Sequence, residues 1–196
     1  WRGYATWGGY RSAYTPEFKP TLRGMALDNA ILKRPAICLG LPIFSFVKDW
    51  KNAFMHVRIR PEAWPTSMTL AYSTPHLRPA EVNHILYVAE YVMGFGHTRN
   101  SGNFQRFASL LIHLVADVMD DLEKTRVEKL SRQHPCLARW LDKRRQLAKK
   151  THRAEDRLYA LRVYSDDPHA MCIGIECMLN LLQAWCWVMN RVRMIP

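Results

Sequence analysis

At 196 residues, with 48% hydrophobic and 23% charged residues, the chain can bury the core of one domain plus an extension, which excludes the disordered class. Its 28 lysines and arginines against 17 acidic residues give a formal charge of +11, favouring a polyanionic partner, nucleic acid first and an acidic membrane surface second. Five cysteines without a Cys-x-x-Cys pair offer neither a disulfide framework nor a familiar zinc spacing, so they are expected to be thiols in a reducing compartment.

The chain opens on Trp1 with no signal-peptide pattern, and is expected to be a fragment or processed piece, intracellular and either cytoplasmic or nuclear. Residues 1–20 are rich in glycine, aromatics and arginine without a sustained period, an irregular lead-in. Thr21–Pro35, carrying Arg23, Asp28, Lys33 and Arg34, is predicted as a short basic element. Ile43–Val47 is a buried-strand candidate that ends at Asp49. Lys51–Arg60 turns into a short helix or continues extended, punctuated by Pro61 and Pro65. Ser67–Tyr72 and Ile85–Met93 predict two strands.

Gly94–Gly102 is a glycine-rich polar loop. It leads into a helix over Asn103–Met119 that directs Phe104, Phe107, Leu110, Leu111 and Leu114 to a core, with Ser101 or Asn103 as its cap. Glu123–Arg157 is strongly basic and helical, broken at His134-Pro-Cys136. Met171–Asn190 is apolar enough to raise the question of a membrane span. Glu176, Asn180 and Gln183 interrupt it, so a buried helix from about Ile175 to Val192 is expected and no membrane partner.

Between these helices Leu158 to Tyr164 has strand character and runs into Asp166, Asp167 and Pro168. Adjacent carboxylates repel, and a divalent cation is a common resolution, because hard oxygen ligands suit Mg²⁺. Asp-Asp pairs also occur in ordinary surface turns. Asp120-Asp121 is such a bland pair, lying among apolar residues at helical spacing. The strand setting separates the two cases, and Asp49 supplies a third carboxylate at another strand end.

Three segments carry a resemblance. They are Phe46 to Pro61, containing Asp49, Ala53 and Phe54; Val92 to Arg106, containing Phe95, Gly96, Phe104, Gln105 and Arg106; and Val163-Tyr-Ser-Asp-Asp-Pro168. Together and in this order they resemble the central palm motifs of reverse transcriptases of retrotransposons, of the long-terminal-repeat or tyrosine-recombinase-element type. The likeness covers about residues 40–192. It implies an RNA-directed DNA polymerase in which Asp49 and Asp166 are the principal ligands of two Mg²⁺ or Mn²⁺ ions, with Asp167 beside them. In such a site two metals stabilise the attacking and leaving oxygens of an in-line phosphoryl transfer.

The resemblance further implies that Phe54 packs on the incoming sugar and selects deoxynucleotides; read alone, it is equally a core aromatic. Phe95 and Gly96 would lie under the nucleotide and template, and Arg23 would match an arginine that holds the triphosphate. Arg99 and Gln105 would reach nucleic acid. Gly94, His97 and Gly102 depart from the family's usual residues, and the interval from Phe95 to Asp166 is longer than usual. The implied partners are an RNA/DNA template-primer, dNTPs, and the thumb, RNase H, and integrase or recombinase of a longer polyprotein.

The expected architecture is therefore α+β: a polymerase palm-like antiparallel sheet backed by helices, with a basic helical insertion. Residues 1–39 would be a lead-in or partial fingers, 40–122 with 158–196 the palm, and 123–157 the insertion. Lys143, Arg144 and Arg145 on the insertion are candidate nucleic-acid contacts, although charge runs also serve as solvated faces. Two alternatives stand beside catalysis. One is a degenerate or domesticated relative that binds nucleic acid. The other is an unrelated basic helical module in which the strand-end carboxylates are coincidental.

Overall fold

The computed structural model describes residues 21–50, 57–58, 60–62, 68–70, 87–89, 92, 98–151, 156–164 and 166–193. Their elements run α1 (Leu22–Leu39), β1 (Ile43–Val47), β2 (Met68–Leu70), β3 (Tyr87–Ala89), α2 (Thr98–Gln133), α3 (Pro135–Thr151), β4 (Tyr159–Tyr164), β5 (Asp167–Ile173) and α4 (Ile175–Arg191). The chain is α+β, with four helices among the described residues. It divides into two compact units, residues 1–15 with 52–104 and residues 16–51 with 105–196. In the first, β2 and β3 pair antiparallel with Met68 opposite Ala89 and Leu70 opposite Tyr87, matching the two strands predicted there.

The second unit is built on a three-stranded antiparallel sheet in the order β1-β5-β4. β4 and β5 form a tight hairpin in which Tyr164 lies opposite Asp167, and β1 joins with Ile43 opposite Ile173 and Val47 opposite His169. Side chains alternate between faces along a strand. Pro168, Ala170 and Cys172 are accordingly buried while His169 and Met171 are half-exposed. β1 was expected to be a buried strand, but Ser45 and Val47 are exposed, because they lie on the sheet face that α1 and α3 cover only at the Ile43–Ile173 end.

One face of the sheet receives α2 and α4. On α4, Cys177, Leu181, Ala184, Trp185 and Val188 recur at helical spacing and are all buried, and that stripe is what makes the apolar segment a core helix. Among the described residues no helix is long and apolar enough to cross a membrane. The hydroxyl of Tyr159 donates to the Ala116 carbonyl of α2 at 3.0 Å and also bonds Asp120. Asp120 pairs with Arg157 as well. Of the Asp120-Asp121 pair, read as a plain polar helix face, only Asp121 is fully exposed.

The opposite face is covered at one end by α1 and α3. Leu32 and Ala36 of α1, Leu137, Trp140 and Leu141 of α3, and Leu158 and Ile173 of the sheet form one apolar cluster. α1 is longer than the predicted basic element. Thr21 caps it through the Gly24 amide at 3.1 Å, and buried Pro35 is carried inside the helix. Gly40 ends it at φ 64°, a conformation glycine adopts without a Cβ clash.

Two expectations change here. α2 starts at Thr98 and runs unbroken through Gln133, so Ser101 and Asn103 lie inside the helix and the helix continues across residue 122. Its buried phase is Phe104, Ala108, Leu111, Val115 and Met119, which leaves Leu110 and Leu114 exposed. The segment expected to be an insertion is helical, but α3 does not simply project: Leu137 and Leu141 are 0% and 1% exposed in the core.

A buried ionic knot ties α2 to the β5–α4 turn. Arg126 binds Glu123 and the Ile173 carbonyl, each at 2.7 Å, and Glu176 at 3.3 Å. Asn180 of α4 donates to the other Glu123 oxygen at 2.7 Å. Glu123 is 3% exposed. Removing it takes away the buried counter-charge of Arg126, leaving the exposed Glu176, and deprives the Asn180 amide of its partner. Glu123→Ala is expected to cost about 3–5 kcal/mol, read as a shift in the urea unfolding midpoint.

Candidate carboxylate site

The antiparallel register does not stop at the last residue of β1. The Lys48 amide donates to the Pro168 carbonyl at 3.2 Å, and the Trp50 amide to the Asp166 carbonyl at 3.0 Å. Asp49 therefore stands directly opposite Asp167, between two hydrogen-bonded pairs. Such a non-hydrogen-bonded position brings opposed Cα atoms to about 4.5 Å and their side chains closest together. Asp166 occupies the hairpin turn next to Asp167.

Trp50 holds this arrangement from behind. It is 2% exposed and stacks on Trp185 of α4 with ring centroids 5.6 Å apart. Phe46 meets the same indole edge-on at 5.8 Å. Because side chains alternate, packing half-buried Phe46 and buried Trp50 against α4 on one face turns Val47 and Asp49 to the other. Asp49 and Asp167 are exposed and Asp166 is half-exposed.

The three carboxylates influence one another. The Asp167 carboxyl is pushed above the usual carboxylate range, first by partial burial and then by the negative charges of Asp166 and Asp49. Among the described residues no three His, Cys, Asp or Glu side chains converge into a ready metal cage. Mg²⁺ binds through one or two carboxylates and completes its shell with water and phosphate oxygens, and the opposed hard-oxygen donors of Asp49 and Asp167 fit that demand. The resemblance made Asp49 and Asp166 the principal pair. The strand register sets Asp49 and Asp167 face to face, with Asp166 beside them in the turn.

Along the same face the sheet grades from acidic to polar to apolar. His169 lies opposite Arg162, and its ring nitrogen is 3.2 Å from the Ser45 hydroxyl. Arg162 makes a bidentate pair with Asp28 of α1, one contact at 2.7 Å, which anchors the helix near the carboxylate end. Sequence reading missed Arg162, His169 and Asp28 as a group. The available signal was their alternation with buried residues along β4 and β5.

The other candidate residues scatter. Arg23 is exposed in the first turn of α1, and Arg99 lies in the first turn of α2. Phe54, Phe95 and Gly96 lie outside the described residues. Lys143 is exposed, Arg144 sits 6.0 Å over the Trp140 ring, and Arg145 pairs with Asp156 at 3.1 Å and Asp142 at 3.7 Å. Gln105 corrects an expectation. It is 5% exposed, and its amide donates to the Val163 carbonyl at 3.0 Å. Val163 does not hydrogen-bond to Pro168 opposite, so its carbonyl faces the free edge of β4, and Gln105 satisfies it from α2. The side chain is spent inside the protein rather than on phosphate.

Neither the models of known protein families nor the curated protein sequences give a match to this chain.

Two outcomes follow from the geometry. Gln105→Leu leaves a buried carbonyl unpaired and is expected to cost about 1–3 kcal/mol in thermal unfolding. A variant of unchanged stability would return Gln105 to the surface role. In metal-free buffer, the native Asp167 carboxyl holds its proton more tightly than the unfolded one does. Its contribution to stability is therefore lost as pH rises from the ordinary carboxylate range through the raised value. Asp167→Asn should raise Tm at neutral pH, with the gain fading on acidification through that range; a pH-independent gain would point away from charge repulsion.

Proposed function

We propose that this chain is the palm portion of an RNA-directed DNA polymerase, joining deoxynucleotides by a two-metal phosphoryl transfer at Asp49, Asp166 and Asp167. The observation that supports the reading most is the continued β1–β5 register. It brings carboxylates separated by more than a hundred residues to one exposed sheet end, which is what the order of the three resembled motifs requires. An antiparallel sheet backed by helices, with the carboxylate end of one face left open, is compatible with a palm.

In this reading the three carboxylates hold Mg²⁺ or Mn²⁺, which when bound would activate the primer hydroxyl and neutralise charge developing on the phosphates. The protein's own share is positional. Trp50, clamped on Trp185, fixes the end of β1, and the tight hairpin fixes Asp166 and Asp167. Partial exposure leaves room for phosphate oxygens and water to complete a metal shell. Arg162, paired with Asp28, and His169, beside Ser45, give the same face a polar lining next to the carboxylates. Deoxynucleotide selection by Phe54 and template contact by Phe95 and Gly96 belong to this proposal on the resemblance alone.

The test is primer extension on an RNA template with a DNA primer, dNTPs and Mg²⁺. It uses the chain itself and a longer polypeptide carrying a thumb, each beside its Asp49→Ala form. Extension by the longer polypeptide that falls at least a hundredfold with Asp49→Ala, on the order of the loss when a positioned charge-stabilising group is removed, supports the reading. No extension by either, with salt-sensitive RNA binding retained, would favour the degenerate nucleic-acid-binding relative instead.

A further inference from the structure

α3 carries six lysines and arginines against one acidic residue, Asp142, yet these cations are not equivalent. Leu137 and Leu141 face the core, while Arg144 lies over Trp140 and Arg145 is committed to Asp142 and Asp156. Directly opposite the buried side, Arg139, Lys143 and Lys150 are all exposed. Their spacing of four and seven residues aligns them along one helical stripe, with Gln146 between them and no acidic residue on it. At 1.5 Å per residue the stripe is about 16 Å long, the axial length of roughly five nucleotides of one strand.

The place of the stripe in the fold is equally specific. Its helix packs on Ile173 and Leu158, at the end of the sheet away from Asp49 and Asp167. Ile173 is six residue steps along β5 from Asp167, about 20 Å at strand rise. The core packing of Leu137 and Leu141 fixes the helix at that end of the sheet, and none of its cations is among the groups that shift the Asp167 carboxyl.

We propose that Arg139, Lys143 and Lys150 form a backbone-tracking surface for the sugar-phosphate strand of a template-primer, on a helix whose buried side packs at the sheet end away from the carboxylates. This deepens the polymerase reading by naming where its nucleic acid is held. The stripe reads phosphate rather than sequence, since point cations on an exposed helix face supply charge without base-edge geometry. It supplies affinity at a distance from the reacting end and leaves the carboxylates free for metal.

The experiment is fluorescence anisotropy of the whole chain with a labelled RNA/DNA hybrid across a salt series. The variants are Arg139→Gln with Lys143→Gln and Lys150→Gln, and separately Arg145→Gln. Glutamine keeps helix propensity close to that of lysine and arginine, and the thermal unfolding of each variant confirms the fold. The triple variant is expected to lose at least tenfold in affinity and to flatten the log–log salt slope by about 2 to 3, while Arg145→Gln stays within about twofold of wild type.

Equal affinity and slope in the triple variant and wild type would overturn the proposal. So would wild-type binding to phosphatidylserine vesicles with none to the hybrid. Asp49→Ala serves as the separating control. If it abolishes extension but not hybrid binding, the two claims stand apart. If extension is absent throughout while the triple variant still loses affinity, the polymerase reading fails and the binding surface survives.

Discussion

Two backbone hydrogen bonds beyond the end of β1, from Lys48 to Pro168 and from Trp50 to Asp166, are the constraint on which the candidate site depends. They extend the strand pairing by three residues and so decide which carboxylate faces which. A strand slipped by one residue would exchange the two faces, sending Asp49 into the helices and Trp50 to water. The stack of Trp50 on Trp185 makes that slip costly, because a large buried aromatic surface would be exposed with it. The hydrophobic core thus fixes the electrostatics at the sheet end.

The same logic arranges the rest of the second unit. On one face, α4 and α2 cover Pro168, Ala170 and Cys172, and Gln105 completes the hydrogen bonding of the β4 edge. On the other, apolar packing under α1 and α3 gives way to the Arg162–Asp28 pair, then to His169, then to the carboxylates. Three carboxylates are thereby gathered at one sheet end of a strongly basic chain. Long-range attraction would draw a polyanion in, and bare carboxylates would repel it locally unless cations accompanied them. That combination accords with the proposed chemistry at the sheet end.

Strand ends were legible in the sequence because apolar runs stopped at Asp49 and Asp166, and α4 was legible because its apolar stripe keeps helical spacing. The pairing of Asp49 with Asp167 was not, since register depends on contacts across more than a hundred residues that no local pattern encodes. Gln105 was misplaced for a different reason. Its residue type suggested a surface contact, whereas its spacing from Ala108, Ile112 and Ala116 placed it on the buried phase of α2. α3 was read from its charges, and its few apolar residues, Leu137, Trp140 and Leu141, proved decisive for where it packs. Phe54, Phe95 and Gly96 stay at the level of resemblance because they lie outside the described residues.

The central claim is that the opposed carboxylates act together on a divalent cation. The most direct measurement is Mn²⁺ titration of the whole chain followed by electron paramagnetic resonance, comparing wild type with Asp166→Asn/Asp167→Asn, and with Asp49→Asn, at matched thermal stability. The account predicts saturable binding in wild type, weakened at least tenfold by Asp49→Asn and abolished in the double variant, since each removes charge from one shared site. Unchanged Mn²⁺ affinity in the double variant would contradict it.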